Sequence, residues 1–280
     1  MNQRQSSSAP RFAMIAGNGR FPFLVLEAAH EQNVHPLVIA IREEASPDLS
    51  SKTHSIHWLS LGEVARLIDL LAAERIEKVL LAGQVKHVQL FRPIQADWVM
   101  SGALASLERK NTDSLIGAFV EMLEAQGMEV VDSTLFLKPL LAPCGLLSRR
   151  APDSSERADM KYGREVARHL AALDIGQTVV VVDGACVAVE AMEGTDATID
   201  RAAGLSNGRR LVVVKVSKPD QDMRFDVPVI GARTIEVMQR SNARVLALDA
   251  KKTLLFERDV LLEKADEAGI AVVGIEEQSE

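Results

Sequence analysis

At 280 residues, with 47% hydrophobic and 25% charged side chains, the chain has the size and balance of a globular protein of two modest domains. Its net charge of -7 argues against nucleic-acid binding, which needs a cationic face, and charges interrupt every apolar run before it reaches bilayer-spanning length. Two cysteines, Cys144 and Cys186, lack metal-ligand spacing and read as reduced, structural residues of a cytoplasmic protein.

The polar start, residues 1–10, lacks the apolar core of a secretory signal and reads as a disordered tail. Residues 11–16 form an apolar strand that ends in Gly17-Asn18-Gly19-Arg20-Phe21-Pro22, and helical spacing follows over 23–32. Pro22 suits the first helical turn, where its missing N–H would have gone unpaired. Such a turn is expected to leave free N–H groups at Gly17, Asn18 and Gly19 beside the positive helix end, a place for a phosphate or nucleotide. The third glycine of the dinucleotide fingerprint is missing.

Residues 35–41 and 55–59 read as strands, 61–74 as a helix and 77–82 as a strand. This alternation predicts a Rossmann-like, doubly wound parallel sheet over residues 11–140. Ligands of such sheets lie beyond the carboxyl ends of the strands, so the loops at Gly17 and Gly83 are expected to share a crevice. The second loop also carries Lys86, a candidate phosphate partner, and His87. Trp98 and residues 104–107 suggest a helix, and 113–126 a clear amphipathic one capped within Asn111-Thr112-Asp113. A strand at 128–131 completes the domain.

From 133 to 150 the pattern breaks at Pro139, Pro143 and Gly145, so a second domain is expected over 141–280. In that connection Leu135, Phe136, Leu140 and Leu141 are apolar enough to line an acyl site or to pack against a domain. Residues 153–173 restore helical periodicity, with Ser154 or Ser155 as caps. Two β-branched runs, 178–182 and 185–189, surround Asp183-Gly184 and predict a hairpin with a type I′ turn. A hairpin makes this domain mixed α/β. A short helix capped by Thr195 or Asp196 runs to Gly204, a strand spans 210–216, and segments at 234–241, 244–248, 253–256, 259–268 and 270–275 finish the domain. Lys251 and Lys252 read as a solvated turn.

The chemistry concentrates in residues 189–226. Glu190, Glu193, Asp196, Asp222 and Asp226 offer hard oxygen ligands suited to Mg²⁺ or Mn²⁺, and Lys215, Lys218 and Arg224 offer cations for phosphate. Lys215 ends an alternating strand, which would place it on a solvent face. Metal and cations together suit phosphoryl chemistry, in which a carboxylate orients or deprotonates water.

The motifs Glu190-Ala191-Met192-Glu193-Gly194-Thr195-Asp196, Lys215-Val216-Ser217-Lys218-Pro219 and Gln221-Asp222-Met223-Arg224-Phe225-Asp226-Val227-Pro228, with Gly231 and Thr234 beyond, resemble the LpxI family of UDP-2,3-diacylglucosamine pyrophosphatases. The glycine turn at Gly17 and Leu173-Asp174-Ile175-Gly176-Gln177-Thr178 extend the likeness to both domains, with departures at Phe21, Gln84 and His87. The resemblance implies Mg²⁺-dependent hydrolysis of UDP-2,3-diacylglucosamine to UMP and 2,3-diacylglucosamine 1-phosphate (lipid X) in lipid A synthesis. Asp226 matches the family's essential aspartate and would bind metal or activate water. Asp222, Glu193 and Asp196 would serve the metal directly or from behind it. Lys218, Gln221 and Arg224 would hold phosphates, and Glu190, Gly194, Thr195, Lys215 and Thr234 would line the substrate with Gly17, Asn18, Gly19 and Gly83. A cytoplasmic protein touching the inner membrane surface, and a homodimer, are compatible with this reading. A non-catalytic nucleotide-sugar sensor and a nicotinamide oxidoreductase with Glu43 near the ribose are its rivals.

Overall fold

The computed structural model describes residues 10–85, 96–106 and 112–276. The chain divides into two compact units, Met1–Leu137 with Met223–Asp226, and Lys138–Asp222 with Val227–Glu280. The last four residues of the charged stretch, Met223–Asp226, therefore belong to the first unit although the chain on both sides of them belongs to the second.

The first unit contains β1 (Phe12–Ala16), α1 (Phe21–Glu31), β2 (Leu37–Ile41), β3 (Ile56–Leu59), α2 (Val64–Ala73), β4 (Lys78–Ala82), α3 (Trp98–Ser106), α4 (Thr112–Ala125) and β5 (Glu129–Val131). Its five strands are all parallel, in the order β3-β2-β1-β4-β5. That is a doubly wound sheet whose order reverses between β1 and β4. The central strands are continuous apolar runs because helices cover both faces: β2 is buried at every residue. Leu67 and Leu71 of α2 and Val120 and Leu123 of α4 pack with Ile15, Ile39 and Val79 in one core. Helix α2 begins three residues later than its periodicity suggests, because Glu63 turns back to accept the Ser60 N–H at 2.7 Å.

The second unit contains β6 (Gly145–Leu146), α5 (Ser154–Ala172), β7 (Thr178–Val182), β8 (Ala185–Val189), α6 (Thr195–Leu205), β9 (Leu211–Lys215), β10 (Val229–Ile230), α7 (Ala232–Arg240), β11 (Ala243–Asp249), β12 (Leu254–Leu255), α8 (Arg258–Glu267) and β13 (Ala271–Ile275). Six strands form a mixed sheet, β6-β13-β11-β9-β7-β8, with β9, β11 and β13 parallel and the β7–β8 hairpin antiparallel at one edge. Asp183 and Gly184 both take positive φ, as a type I′ turn requires. The protein is thus a two-domain α/β protein.

Capping differs from expectation in two places. Helix α5 is capped by Asp153 and not by a serine: Asp153 accepts the Glu156 N–H and Glu156 accepts the Asp153 N–H, each at 2.9 Å, while Arg150 clamps Glu156. Helix α6 starts from Gly194 at φ 84, which frees Thr195 and Asp196 for other partners. Of the cysteines, Cys186 is half-buried, and burial pushes its thiol up, whereas Cys144 is exposed. Lys251 pairs with Glu276 on the surface. Lys86, His87 and Asn111 lie outside the described residues.

Candidate functional site

In the first unit the glycine turn is built for strand contact. The Gly17 N–H bonds to Ala82 O at 2.8 Å, the Asn18 N–H to Gln84 O at 2.8 Å, and the Gln84 N–H returns to Asn18 O at 3.1 Å. The pairing of β1 with β4 thus continues past both strand ends and uses the N–H groups expected to be free at Gly17 and Asn18. The glycines are required by this approach. A Cβ on Gly17 would sit 2.7 Å from Gln84 O, and one on Gly83 would sit 2.6 Å from Asn18 O. Gly19 faces open space at φ 93.

Gly17 and Gly83 also line one cavity of about 140 Å³ at the carboxyl ends of the strands, where the strand order reverses. Its walls are almost wholly apolar, from Ile15 and Ile41 of the sheet to Leu67 of α2, Phe119 of α4 and Phe225. The carboxylate of Glu63 at its margin is held low by the Ser60 N–H first and by Arg66 second.

Phe225 arrives on the four-residue return, Met223–Asp226, which is fastened where β5 ends. The Ser133 N–H donates to Met223 O at 2.8 Å. Ser133 Oγ, 1% exposed, lies 2.6 Å from both Arg224 O and Leu81 O, so one proton is shared between two carbonyls. Arg224 pairs with Glu124 of α4 at 2.7 Å. Asp226, at the end of this segment, is half-buried. Ser133 gave no signal in the sequence, because a lone serine in a proline-broken connection looks like any loop residue.

In the second unit a different set of predicted residues comes together. Lys215 is not on a solvent face: it is 8% exposed, because β9 is central and covered on both sides. Its Nζ donates to Thr195 Oγ1 at 2.8 Å and lies 4.0 Å from Glu190, itself 8% exposed. Thr195 Oγ1 is 2.9 Å from Glu190 Oε1 and 3.2 Å from Thr178 Oγ1. Gln177 N–H closes the network on Glu190. Gly176 permits it, since a Cβ there would collide with Glu190 O.

The carboxylates that flank this network hold helix ends. Glu193 binds Arg201 at 2.7 Å and accepts the Ala191 N–H at 3.0 Å; its own backbone N–H first, then Arg201, keeps its carboxyl below the ordinary range. Asp196 accepts the Thr234 hydroxyl at 2.9 Å and faces Arg233 at 3.4 Å, tying α6 to α7. Among the described residues no three His, Cys, Asp or Glu side chains are gathered to hold a metal ion. Lys218 pairs with Asp174 at 2.6 Å, and its N–H donates to Gln221 Oε1 at 2.7 Å, so two of the three expected phosphate ligands lie in one turn. Asp222 follows, half-buried. In the expected acyl connection, Phe136 is buried edge-on against Phe12, and none of Leu135, Phe136, Leu140 and Leu141 lines the cavity.

A Rossmann-like sheet open at its switch point, joined to a mixed sheet that carries an acidic and basic loop, defines a class of two-domain α/β proteins with a ligand-binding end. Family comparison narrows that class. The LpxI N-terminal domain model matches residues 11–140 and the LpxI C-terminal domain model matches 143–273. A curated relative from Caulobacter vibrioides, named UDP-2,3-diacylglucosamine pyrophosphatase LpxI, is 31% identical over 278 residues, 96% of this chain and 98% of its own. The chain belongs to the LpxI family of enzymes. Among solved structures, the biotin carboxylase domain of Hydrogenobacter thermophilus 2-oxoglutarate carboxylase aligns at TM-score 0.27 and 10% identity, over 69% of this chain and 40% of that one. The biotin carboxylase subunit of pyruvate carboxylase aligns at TM-score 0.26 and 12% identity, over 72% and 42%. Likenesses this low carry no argument.

Proposed function

We propose that this protein hydrolyses the pyrophosphate of UDP-2,3-diacylglucosamine to UMP and lipid X in lipid A synthesis. The supporting observation is that Asp226, which matches the essential aspartate of the family motif, ends the stretch that belongs to the first unit, which Ser133 fastens and whose Phe225 lines one cavity with Gly17 and Gly83. Family membership over both domains and the name of the Caulobacter vibrioides relative supply the substrate.

In this reading Asp226 orients a water molecule on the phosphorus next to the sugar and takes up its proton. The bond from that phosphorus to the bridging oxygen breaks, and UMP leaves. Lys218, Gln221 and Arg224 hold the phosphates, the first two from the turn they already share. Mg²⁺ usually binds through one or two carboxylates plus substrate phosphate oxygens, and Asp222 and Asp226, each half-buried, are the carboxylates that the family motif offers it. When bound, the ion offsets charge on the phosphate oxygens. Glu193 and Asp196 are left out of this set because Arg201, Arg233 and Thr234 engage them. Glu190, Thr195, Lys215 and Thr234 support the loops that face the substrate. In this reading a substrate with two acyl chains is met at the cytoplasmic face of the inner membrane; no helix among the described residues is long and apolar enough to cross one.

The test is incubation of purified protein with UDP-2,3-diacylglucosamine, with Mg²⁺ and with a chelator, reading UMP and lipid X. Both products in the first arm, and neither in the second, are expected. No UMP with either Mg²⁺ or Mn²⁺ overturns the proposal.

A further inference from the structure

Resting on the proposed hydrolysis, we infer that the cavity in the first unit takes the terminal carbons of one acyl chain, and that Phe225 makes turnover at Asp226 depend on that occupancy. The cavity lies entirely among residues of one unit, so its shape follows from a single sheet and its helices. Leu67, Met100, Ile116, Phe119 and Phe225 present carbon to it, and the margin carboxylate of Glu63 is already satisfied by Ser60 and Arg66. Such a space offers water few partners, and an apolar cavity of about this volume accepts a molecule the size of benzene. At about 140 Å³ it has room for the end of one chain and not for two.

Its position gives the occupant a second effect. Phe225 is both a wall of the cavity and the residue before Asp226. The backbone of the segment is fixed upstream, at Met223 O and Arg224 O, by Ser133. With those two carbonyls held, Phe225 is the cavity-lining residue next to Asp226 in the chain. A chain end packed against the ring holds it in one place and so restricts Asp226; an empty cavity leaves the ring free to settle inward. Binding energy from a remote part of the substrate is then expressed in kcat as well as in KM.

The experiment compares UDP-glucosamine substrates carrying two butanoyl, two octanoyl or two tetradecanoyl chains, with UMP release as the readout. Wild-type kcat is expected to rise with chain length. Ile116→Trp and Met100→Trp fill the cavity from α4 and α3, away from Asp226. Each is expected to lower the kcat/KM ratio of tetradecanoyl over butanoyl substrate by about tenfold or more, the order that a few methylenes command in an apolar pocket. Phe225→Ala is expected to bring the kcat ratio of long to short substrate close to one. Titration calorimetry with dodecanoate reads the cavity without catalysis: binding to wild type, and its loss in both tryptophan variants, is expected. Unchanged ratios in either tryptophan variant that melts like wild type overturn the inference, as does absence of dodecanoate binding to wild type. If wild type binds dodecanoate but releases no UMP from any substrate, the hydrolase reading fails and the cavity assignment stands.

Discussion

Two stretches of similar composition behave in opposite ways. The loop from 190 to 196, with Lys215, turns its charges inward: a lysine and a glutamate, each 8% exposed, share one threonine hydroxyl, Glu193 holds Arg201 of the helix that follows, and Asp196 ties that helix to the next. The segment from 218 to 226 keeps its charged side chains half-open, and its last four residues are held to the first unit by backbone carbonyls. The difference teaches that charge density alone does not mark chemistry. A buried network spends its hydrogen bonds on holding a loop, whereas the second segment is pinned through its backbone and keeps its ion pairs, Lys218 with Asp174 and Arg224 with Glu124, partly open to solvent.

This contrast is breakable. Lys215→Met leaves Glu190 buried without its cation, and a loss of about 3 kcal/mol or more in urea unfolding is expected. Hydrolysis lost with stability intact would instead make Lys215 a substrate group and erase the distinction. Ser133→Ala removes a buried hydroxyl between two carbonyls. About 1–2 kcal/mol of destabilisation is expected, together with a drop in turnover at temperatures where the variant is fully folded. Normal turnover there would show that the segment needs no fastening. Glu193→Gln is expected to cost at most about 1 kcal/mol, since its side chain is one-third exposed and its partner Arg201 about half exposed.

The pH dependence of Glu193 follows from its depressed carboxyl. Its folded value lies below the unfolded one, about 4.3. The stabilisation is therefore complete above that unfolded value and is lost as pH falls through the folded value. Thermal melts between neutral and acid pH should fall less steeply for Glu193→Gln than for wild type; parallel slopes would contradict the pairing.

Much of the first unit was legible, because parallel strands covered on both faces appear as unbroken apolar runs such as Leu37–Ile41 and cannot be confused with loops. The hairpin was legible from the two β-branched runs on either side of Asp183-Gly184. What stayed hidden depended on long-range pairing. The Gly17 turn looked like a phosphate cradle, and only the bridge from Asn18 to Gln84 shows its N–H groups to be taken. Lys215 looked like an outward residue of an alternating strand until β7 and β11 flanked β9. The return of Met223–Asp226 to the first unit rests on Ser133, ninety residues or so earlier, and no local pattern announces such a contact.

The most direct measurement is UMP release by Asp226→Asn beside Glu193→Gln, with melting curves for both. Loss of at least about a hundredfold in kcat for the first with an unchanged melt, and turnover near wild type for the second, is predicted. Equal losses in the two variants, or an active Asp226→Asn, would contradict the assignment of chemistry to the returning segment.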